Sequence, residues 1–497
     1  MELCKEYKSL NSTVEKEVLC ESFELDLQEN LPQYLDDIER IIKCSVKCVV
    51  TDYECTGGAI KLYGKSIISL TYLNGDGCPL SNIFEEEFSK PINTTANCDI
   101  NFAEIKLITK YSNFRLINQR RIDIHISLRA NITAFCVENE KSLLNCKNAF
   151  VKEYNPSRLC EKSSGICSED FDETFTISDT KSQIKNIINT FSSCIIEDKK
   201  IIKDKMLVKI RLELSVLFEN ENNNIEKAVH TFNLSKIIDV NDAGEDDCTF
   251  VNATVSSLYV KTKADSGNRL CDIEIVGKVT FSYKLYCVCD EEFIVDSYMA
   301  NYNTELEKRN VRIKSNPVYY YDDKSDELLF DIDRNIIEIL DLKTSIVDFC
   351  IENSVMILTV KLSCLYFDES SQLCYYENTI ENKSSLNDIE MSGVCSANII
   401  SFDYVIKNAN SISLRINYEY NAYLYSGEDI SIITDINAST EKENSNLPQL
   451  TLYFAQKNEN VWDIAKKFST AMSLIMDEND LTSQVIEAQR VLLVPGM

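Results

Sequence analysis

Eight residues, Ala59-Ile-Lys-Leu-Tyr-Gly-Lys-Ser66, satisfy a loose P-loop expression, with Ala in place of the first Gly. Phosphate binding of that kind needs a glycine-rich turn after a strand, with the Lys and Ser opening a helix. Here the residues alternate apolar and polar and run on into Ile67-Ile-Ser-Leu-Thr-Tyr72, which is more strand, so no nucleotide is expected. Twenty cysteines are the next candidates. No Cys-x-x-Cys pair is present, and the two histidines, His125 and His230, are isolated. Structural zinc wants four clustered ligands. Cys44 and Cys48 read as strand residues, and Cys287 and Cys289 share one strand face, so structural thiols and no metal are expected. Catalysis finds no constellation either. The carboxylates are many and spread, Asp36-Asp37 reads as a helix start, and no Gly-x-Ser-x-Gly elbow or Cys–His dyad is visible. The expectation is a non-enzymatic protein without catalytic residues or cofactor.

Composition narrows the partners. The chain has 497 residues and a net charge of −28, which argues against nucleic acid and against docking on anionic lipid by charge alone. Hydrophobic residues make up 44%, enough for a sizeable core. The start, Met-Glu-Leu-Cys-Lys-Glu, lacks a basic segment followed by an apolar one, and no run approaches eighteen apolar residues. A cytosolic protein with reduced thiols and no membrane span is therefore expected.

The elements that position these residues repeat at near 150 residues. One marker reads Ile68-Ser-Leu-Thr-Tyr72, then Leu214-Ser-Val-Leu-Phe218, then Leu362-Ser-Cys-Leu-Tyr366, with aromatics 146 and 148 positions apart. A second marker is a long alternating strand: Ile122, Ile124, Ile126 and Leu128; then Ile273 and Ile275; then Ile412, Leu414 and Ile416. Two markers at one period imply a threefold repeat. Turn signals at Gly57-Gly58, Asn74-Gly-Asp-Gly77 and Asn220 to Asn224 separate the strands. An Ile-x-x-Ile-Ile motif (Ile38, Ile41, Ile42; Ile184, Ile187, Ile188; a looser version at Ile332, Ile336, Ile337) fits a short amphipathic helix, started by Asp36-Asp37 or Ser178-Asp179. The predicted fold is mainly β: three tandem antiparallel β-sandwich or open-barrel units, each with a short helix. Their spans are 1–140, 141–289 (a linker followed by the second unit) and 290–426. Residues 427–448, rich in Ser, Asn, Glu and Thr, read as a flexible tether.

Residues 449–497 form a separate small α+β domain in the order strand, helix, helix, strand. Asn460 is placed to cap a helix with Asp463 three residues on. Val461, Ile464, Ala465 and Phe468 share one helical face, and Met472, Ile475 and Met476 repeat the spacing up to Asn479. This stretch resembles a LysM domain through Tyr453, Trp462, Ile464, Ala465, Asn479, Leu492 and Pro495. It departs from that family at the Gly-Asp-Thr turn, here Asn458-Glu459-Asn460, and at Ala488 in place of a glycine. In the family the turn lies beside the glycan groove.

The three units resemble SPOCS domains of endospore-forming bacteria. The likeness rests on Leu31-Pro-Gln-Tyr-Leu-Asp-Asp-Ile-Glu-Arg-Ile41, on the strand ending in Tyr72, on Asn118-Gln-Arg-Arg-Ile-Asp-Ile124 and on Val295-Asp-Ser-Tyr298 followed by Tyr302 and Glu305. It is fullest in the first unit and least in the third. SPOCS units with one C-terminal LysM domain imply an adaptor of spore-envelope assembly. Such an adaptor acts in the mother-cell cytoplasm at the surface of the developing spore. Its implied partner is the coat-morphogenetic ATPase, stage IV sporulation protein A, bound through the LysM-like domain, with other envelope proteins as further partners. The candidate partner-binding residues are Asn458, Glu459, Asn460, Trp462, Ile464, Lys466 and Lys467. Trp462 and Ile464 are expected chiefly to hold the fold. The alternative is an anchor module that binds peptidoglycan.

Overall fold

The computed structural model describes all residues except 1–3, 57–58, 95–99, 178–182, 241–242, 266, 387–390, 443–448 and 497. Unit one consists of β1 (Lys5–Asn30), β2 (Arg40–Thr56), β3 (Ala59–Leu73), β4 (Pro79–Asn93), β5 (Phe102–Asn118) and β6 (Arg121–Cys146). After β7 (Phe150–Tyr154), unit two follows with β8 (Ser157–Thr176), β9 (Ile184–Ile202), β10 (Lys205–Asn220), β11 (Ile225–Asp239), β12 (Cys248–Ala264) and β13 (Leu270–Asp290). After β14 (Phe293–Tyr298), unit three has β15 (Tyr302–Asp331), β16 (Ile336–Glu352), β17 (Val355–Asp368), β18 (Leu373–Ser385), β19 (Ser392–Asn408) and β20 (Ser411–Glu441). The chain ends in β21 (Leu450–Ala455), α1 (Val461–Phe468), α2 (Met472–Glu478) and β22 (Arg490–Pro495).

Each unit repeats one plan. Two antiparallel three-stranded arrays, β1-β6-β5 and β2-β3-β4 in unit one, recur as β8-β13-β12 with β9-β10-β11 and as β15-β20-β19 with β16-β17-β18. None closes into a barrel. The central strands carry the alternation seen in the sequence: Ile60 and Leu62 on β3 pack against Ile122, Ile124 and Ile126 on β6, and equivalent residues fill the other two sandwiches. β7 pairs with β14, which links the two joints of the chain.

The units join at a hub built from equivalent parts. The marker aromatics Tyr72, Phe218 and Tyr366 are buried. Just beyond each lies a hairpin turn with the same side-chain bracket. Asn74 Oδ1 accepts from the N–H groups of Asp76 (3.1 Å) and Cys78 (2.8 Å). Asn220 Oδ1 accepts from Asn222 (2.9 Å) and Asn224 (3.0 Å), and Asp368 Oδ1 accepts from Ser370 and Gln372 (both 2.9 Å). Asn and Asp do this because their short side chains reach their own backbone two residues on. The three turns surround a cavity of about 430 Å³ lined by Gly77, Asn223, Ser371 and Gln372 together with Arg40 and Glu219. Behind it Ile42, Ile188 and Leu340 pack with Leu217, Leu365 and Leu373. Lys43 Nζ donates to Asn189 Oδ1 (2.8 Å), and Lys227 Nζ to Asp341 Oδ1 (2.8 Å), across unit boundaries.

Two expectations need correction. No short helix occurs among the described residues of the units; both helices belong to the C-terminal domain. The Ile-x-x-Ile-Ile motifs lie at and within β2, β9 and β16. Their doubled apolar residues mark a bulge: the register skips Ile42 between Ile41 and Lys43, Ile188 between Ile187 and Asn189, and Leu340 between Ile339 and Asp341. A bulge adds one residue and breaks the period of two, which imitates a helical spacing. In unit three the motif is Ile336, Ile339 and Leu340, not Ile332, Ile336 and Ile337. The tether is also shorter than expected. Residues 427–441 belong to β20, paired with β15 out to Tyr302↔Glu441, and most of the polar residues there alternate with buried isoleucines. Residues 443–448, the turn Gly57-Gly58 and the start signal Ser178-Asp179 lie outside the described residues.

Candidate partner-binding surface of the C-terminal domain

The C-terminal domain is assembled as its pattern demands. Asn460 caps α1, its Oδ1 accepting from Trp462 N–H (2.8 Å), and Ser469 closes the helix in the left-handed region at φ 56°. Val461, Ile464, Ala465, Ile475, Leu492 and Val494 form the core. Asn479 pins β22 to α2: its Nδ2 donates to the carbonyls of Ile475 and Leu493, and its Oδ1 accepts from Leu493 N–H, each at 2.7 Å.

The seven candidate residues separate into four groups. At the altered turn, Asn458 takes φ 68°, which Asn tolerates. The Glu459 carboxylate accepts from Tyr453 Oη–H (2.5 Å) and from Gln456 N–H (2.9 Å), and the Tyr453 hydroxyl is pushed up by that bond. Together with the Asn460 cap, the turn is thus tied to its own domain. Ile464 is core. Trp462 and Lys466 form a seam with Asp296 and the buried Tyr298 of β14. Trp462 Nε1–H donates to Asp296 Oδ2 (2.9 Å), Lys466 Nζ reaches both Asp296 oxygens at 2.7 Å, and the Tyr298 ring meets Trp462 edge-on with centroids 4.9 Å apart. Tyr298 Oη–H donates to the Thr470 carbonyl (2.7 Å). Burial pushes the Asp296 carboxyl up, but the bonds from Lys466 and Trp462 outweigh it and hold the group below the usual carboxylate range. Lys467 stays exposed, its ammonium over the Tyr453 ring at 4.9 Å.

Sequence reasoning missed the most open apolar surface of this domain. The pairs Phe454↔Val491, Leu452↔Leu493 and Leu450↔Pro495 put one face of the β21–β22 ribbon outward. Leu452 and Phe454 are 63% and 67% exposed, and Leu450 and Val491 about half. The signal was the alternation Leu450, Leu452, Phe454 against Thr451, Tyr453, Ala455, which makes both faces of β21 largely apolar. An apolar patch of this kind marks a protein contact.

Elsewhere, perturbed carboxyls sit at the seam of units one and two. The Lys284 ammonium is ion-paired with Glu104, and the Tyr286 hydroxyl lies 2.9 Å from Glu104 and 3.1 Å from Glu161. Burial, with Glu104 beside it, pushes Glu161 well up. Glu161 and Tyr286 are buried, Glu104 and Lys284 partly so, and none of them lines the hub cavity. A thiol cluster was also missed: Cys160 stands opposite Cys287, and its Sγ lies 2.7 Å from Cys289 Sγ. Only strand register brings Cys160 to the Cys287-x-Cys289 pair, so the sequence offered half of it.

The fold is therefore that of a repeated β-sandwich body carrying a LysM-type module. Residues 183–263 match the family model described as SipL, SPOCS domain, and residues 454–495 match that of the LysM domain. The chain thus combines a SipL SPOCS domain with a C-terminal LysM domain, an architecture of sporulation-associated proteins with a peptidoglycan-binding-type module. The SPOCS match falls on unit two, from β9 to β12, rather than on unit one, whose residues carry most of the resemblance. No curated protein and no solved structure matches the chain. Among the described residues, no helix is long and apolar enough to cross a membrane.

Proposed function

We propose that this protein is a non-enzymatic adaptor of spore-envelope assembly. It works in the mother-cell cytoplasm at the surface of the developing spore and binds the coat-morphogenetic ATPase, stage IV sporulation protein A, through its LysM domain. The observation that carries this reading is the exposed apolar face of β21–β22 in a domain whose altered turn is bound up in its own contacts. Trp462 and Lys466 then serve as the hinge side of the domain, toward β14, and Leu452 and Phe454 as its outward side. The second reading, a peptidoglycan anchor, is favoured by the LysM match itself. Size-exclusion co-elution of the full chain with the ATPase, beside sedimentation with purified peptidoglycan, tests the two. Co-elution without sedimentation is expected. Sedimentation without co-elution makes the domain a glycan anchor and ends the adaptor reading.

A further inference from the structure

Three thiols converge on one face of the β8–β13 pair. Cys160 on β8 is directly opposite Cys287 on β13, and Cys289, opposite Arg158, is the diagonal neighbour. Alternation along both strands puts all three side chains on the same side of the sheet. Their Sγ atoms lie within 4.8 Å of one another, and each residue is half-buried, so the group is formed by the fold yet reachable from solvent. Two cations stand over it: Arg158, which acts on Cys289, and Lys162, which acts on Cys287. Arg158 is also paired with Glu291, and Lys162 with Asp247.

We propose that Cys160, Cys287 and Cys289 form a three-thiolate site for a zinc ion, with the fourth coordination position open to solvent. Thiolates are favoured ligands of zinc, at about 2.3 Å, which sets tetrahedral sulfur–sulfur edges of about 3.8 Å. Side-chain rotation brings three sulfurs already within 4.8 Å to that spacing with the strands in place. Loading exchanges three thiol protons for the ion, Zn²⁺ plus three R–SH giving Zn(SR)₃⁻ and three H⁺, with no change of oxidation state. Arg158 and Lys162 lie on the side of the remaining negative charge, each shared with a carboxylate, Glu291 and Asp247. A disulfide between Cys160 and Cys289, whose sulfurs are 2.7 Å apart, or between the opposed Cys160 and Cys287, accounts for two of the thiols and leaves the third without a role. The ion would clasp β8 to β13 where the chain leaves unit two. Asp290 ends β13 one residue after Cys289, and Arg158 bridges β8 to Ser315 of β15 in unit three.

The test uses the reduced, chelator-stripped full chain. Zinc is titrated in competition with a chromophoric zinc chelator, and the thiols are mapped by alkylation and peptide mass with and without zinc. The chain is expected to hold one zinc equivalent more than a Cys160→Ser/Cys287→Ser/Cys289→Ser variant. Each single Ser variant is expected to weaken that equivalent by more than the about 10–100-fold typical of outer-shell changes. In the unsubstituted chain, which removes any question of misfolding, zinc should shield Cys160, Cys287 and Cys289 from alkylation while the exposed Cys20 reacts unchanged. Equal zinc content in the triple variant, equal labelling of the three thiols with and without zinc, or a Cys160–Cys289 or Cys160–Cys287 disulfide that forms in preference to metal binding would each overturn the proposal.

Discussion

At the hub, each of the three units contributes a turn bracketed by one Asn or Asp, a bulge residue and a buried aromatic, so each of these features has two counterparts. At the seam between β14 and α1, one carboxylate, Asp296, receives Trp462 and Lys466, with no counterpart elsewhere in the repeat. The comparison separates two purposes. The hub is mostly apolar, distributed over three sandwiches, and resists loss of any one polar contact. The seam is small, one carboxylate, Asp296, with the Tyr298 ring packed on Trp462, so it can be released without dissolving the β body or the rest of the C-terminal core. A domain held this way can be steady in isolation and still reorient when its outward face meets a partner.

The hub is most sharply tested by Phe218→Ala, which empties a fully buried site on the central strand β10. It should cost about 3–5 kcal/mol, read from denaturant unfolding of the full chain. Next comes the seam. Asp296→Ala leaves the Trp462 N–H without its acceptor and should weaken docking by about 1–3 kcal/mol. Because Trp462 is the only tryptophan, the expected sign is a red-shifted emission with the far-ultraviolet circular dichroism unchanged. Loss of the β signal together with that shift would merge seam and hub into one cooperative unit and remove the contrast.

The same carboxylate gives a pH test. Its folded pKa is depressed, so its stabilising contribution is whole above the unfolded carboxyl value of about 3.9 and is lost as the pH falls through the lower folded value. Trp462 emission should red-shift in that acid window in the native chain. In an Asp296→Asn variant it should show no step there. The smallest expected effect belongs to Lys466→Ala, which removes an ion pair at a half-exposed ammonium and should cost about 0.2–1 kcal/mol, diminishing with added salt.

Much of this was legible in the residues. The aromatic markers at Tyr72, Phe218 and Tyr366 fixed the period because a buried position at the end of a central strand tolerates little else. The strand–helix–helix–strand order followed from the Asn460 cap and the 3.6-residue spacing of Val461, Ile464, Ala465 and Phe468. The helices expected in each unit failed because a bulge residue such as Ile188 disturbs alternation just as a helical turn would. The long tether failed because a strand can be polar on one face: within 427–441, Ile430, Ile432, Ile433 and Ile436 are buried beneath the Ser, Asp and Thr that suggested a linker. Within the candidate site, Trp462 could be recognised as structural, but its acceptor could not, since Asp296 lies 166 residues earlier and is brought near by the β15–β20 pairing, which sets Tyr302 opposite Glu441.

The central claim, that the outward face of the β21–β22 ribbon binds the coat-morphogenetic ATPase, is tested most directly by one affinity measurement. The full chain, a Leu452→Asp/Phe454→Asp variant and the Asp296→Asn variant would be titrated against the ATPase in parallel. The account predicts that the paired Asp variant loses at least about 2 kcal/mol of binding, roughly thirtyfold, as expected for central apolar contacts of an interface. Asp296→Asn should bind as well as the native chain or better. Native affinity in the Leu452→Asp/Phe454→Asp variant, with its fold intact by circular dichroism, would contradict the claim and return the search to the faces of the β units.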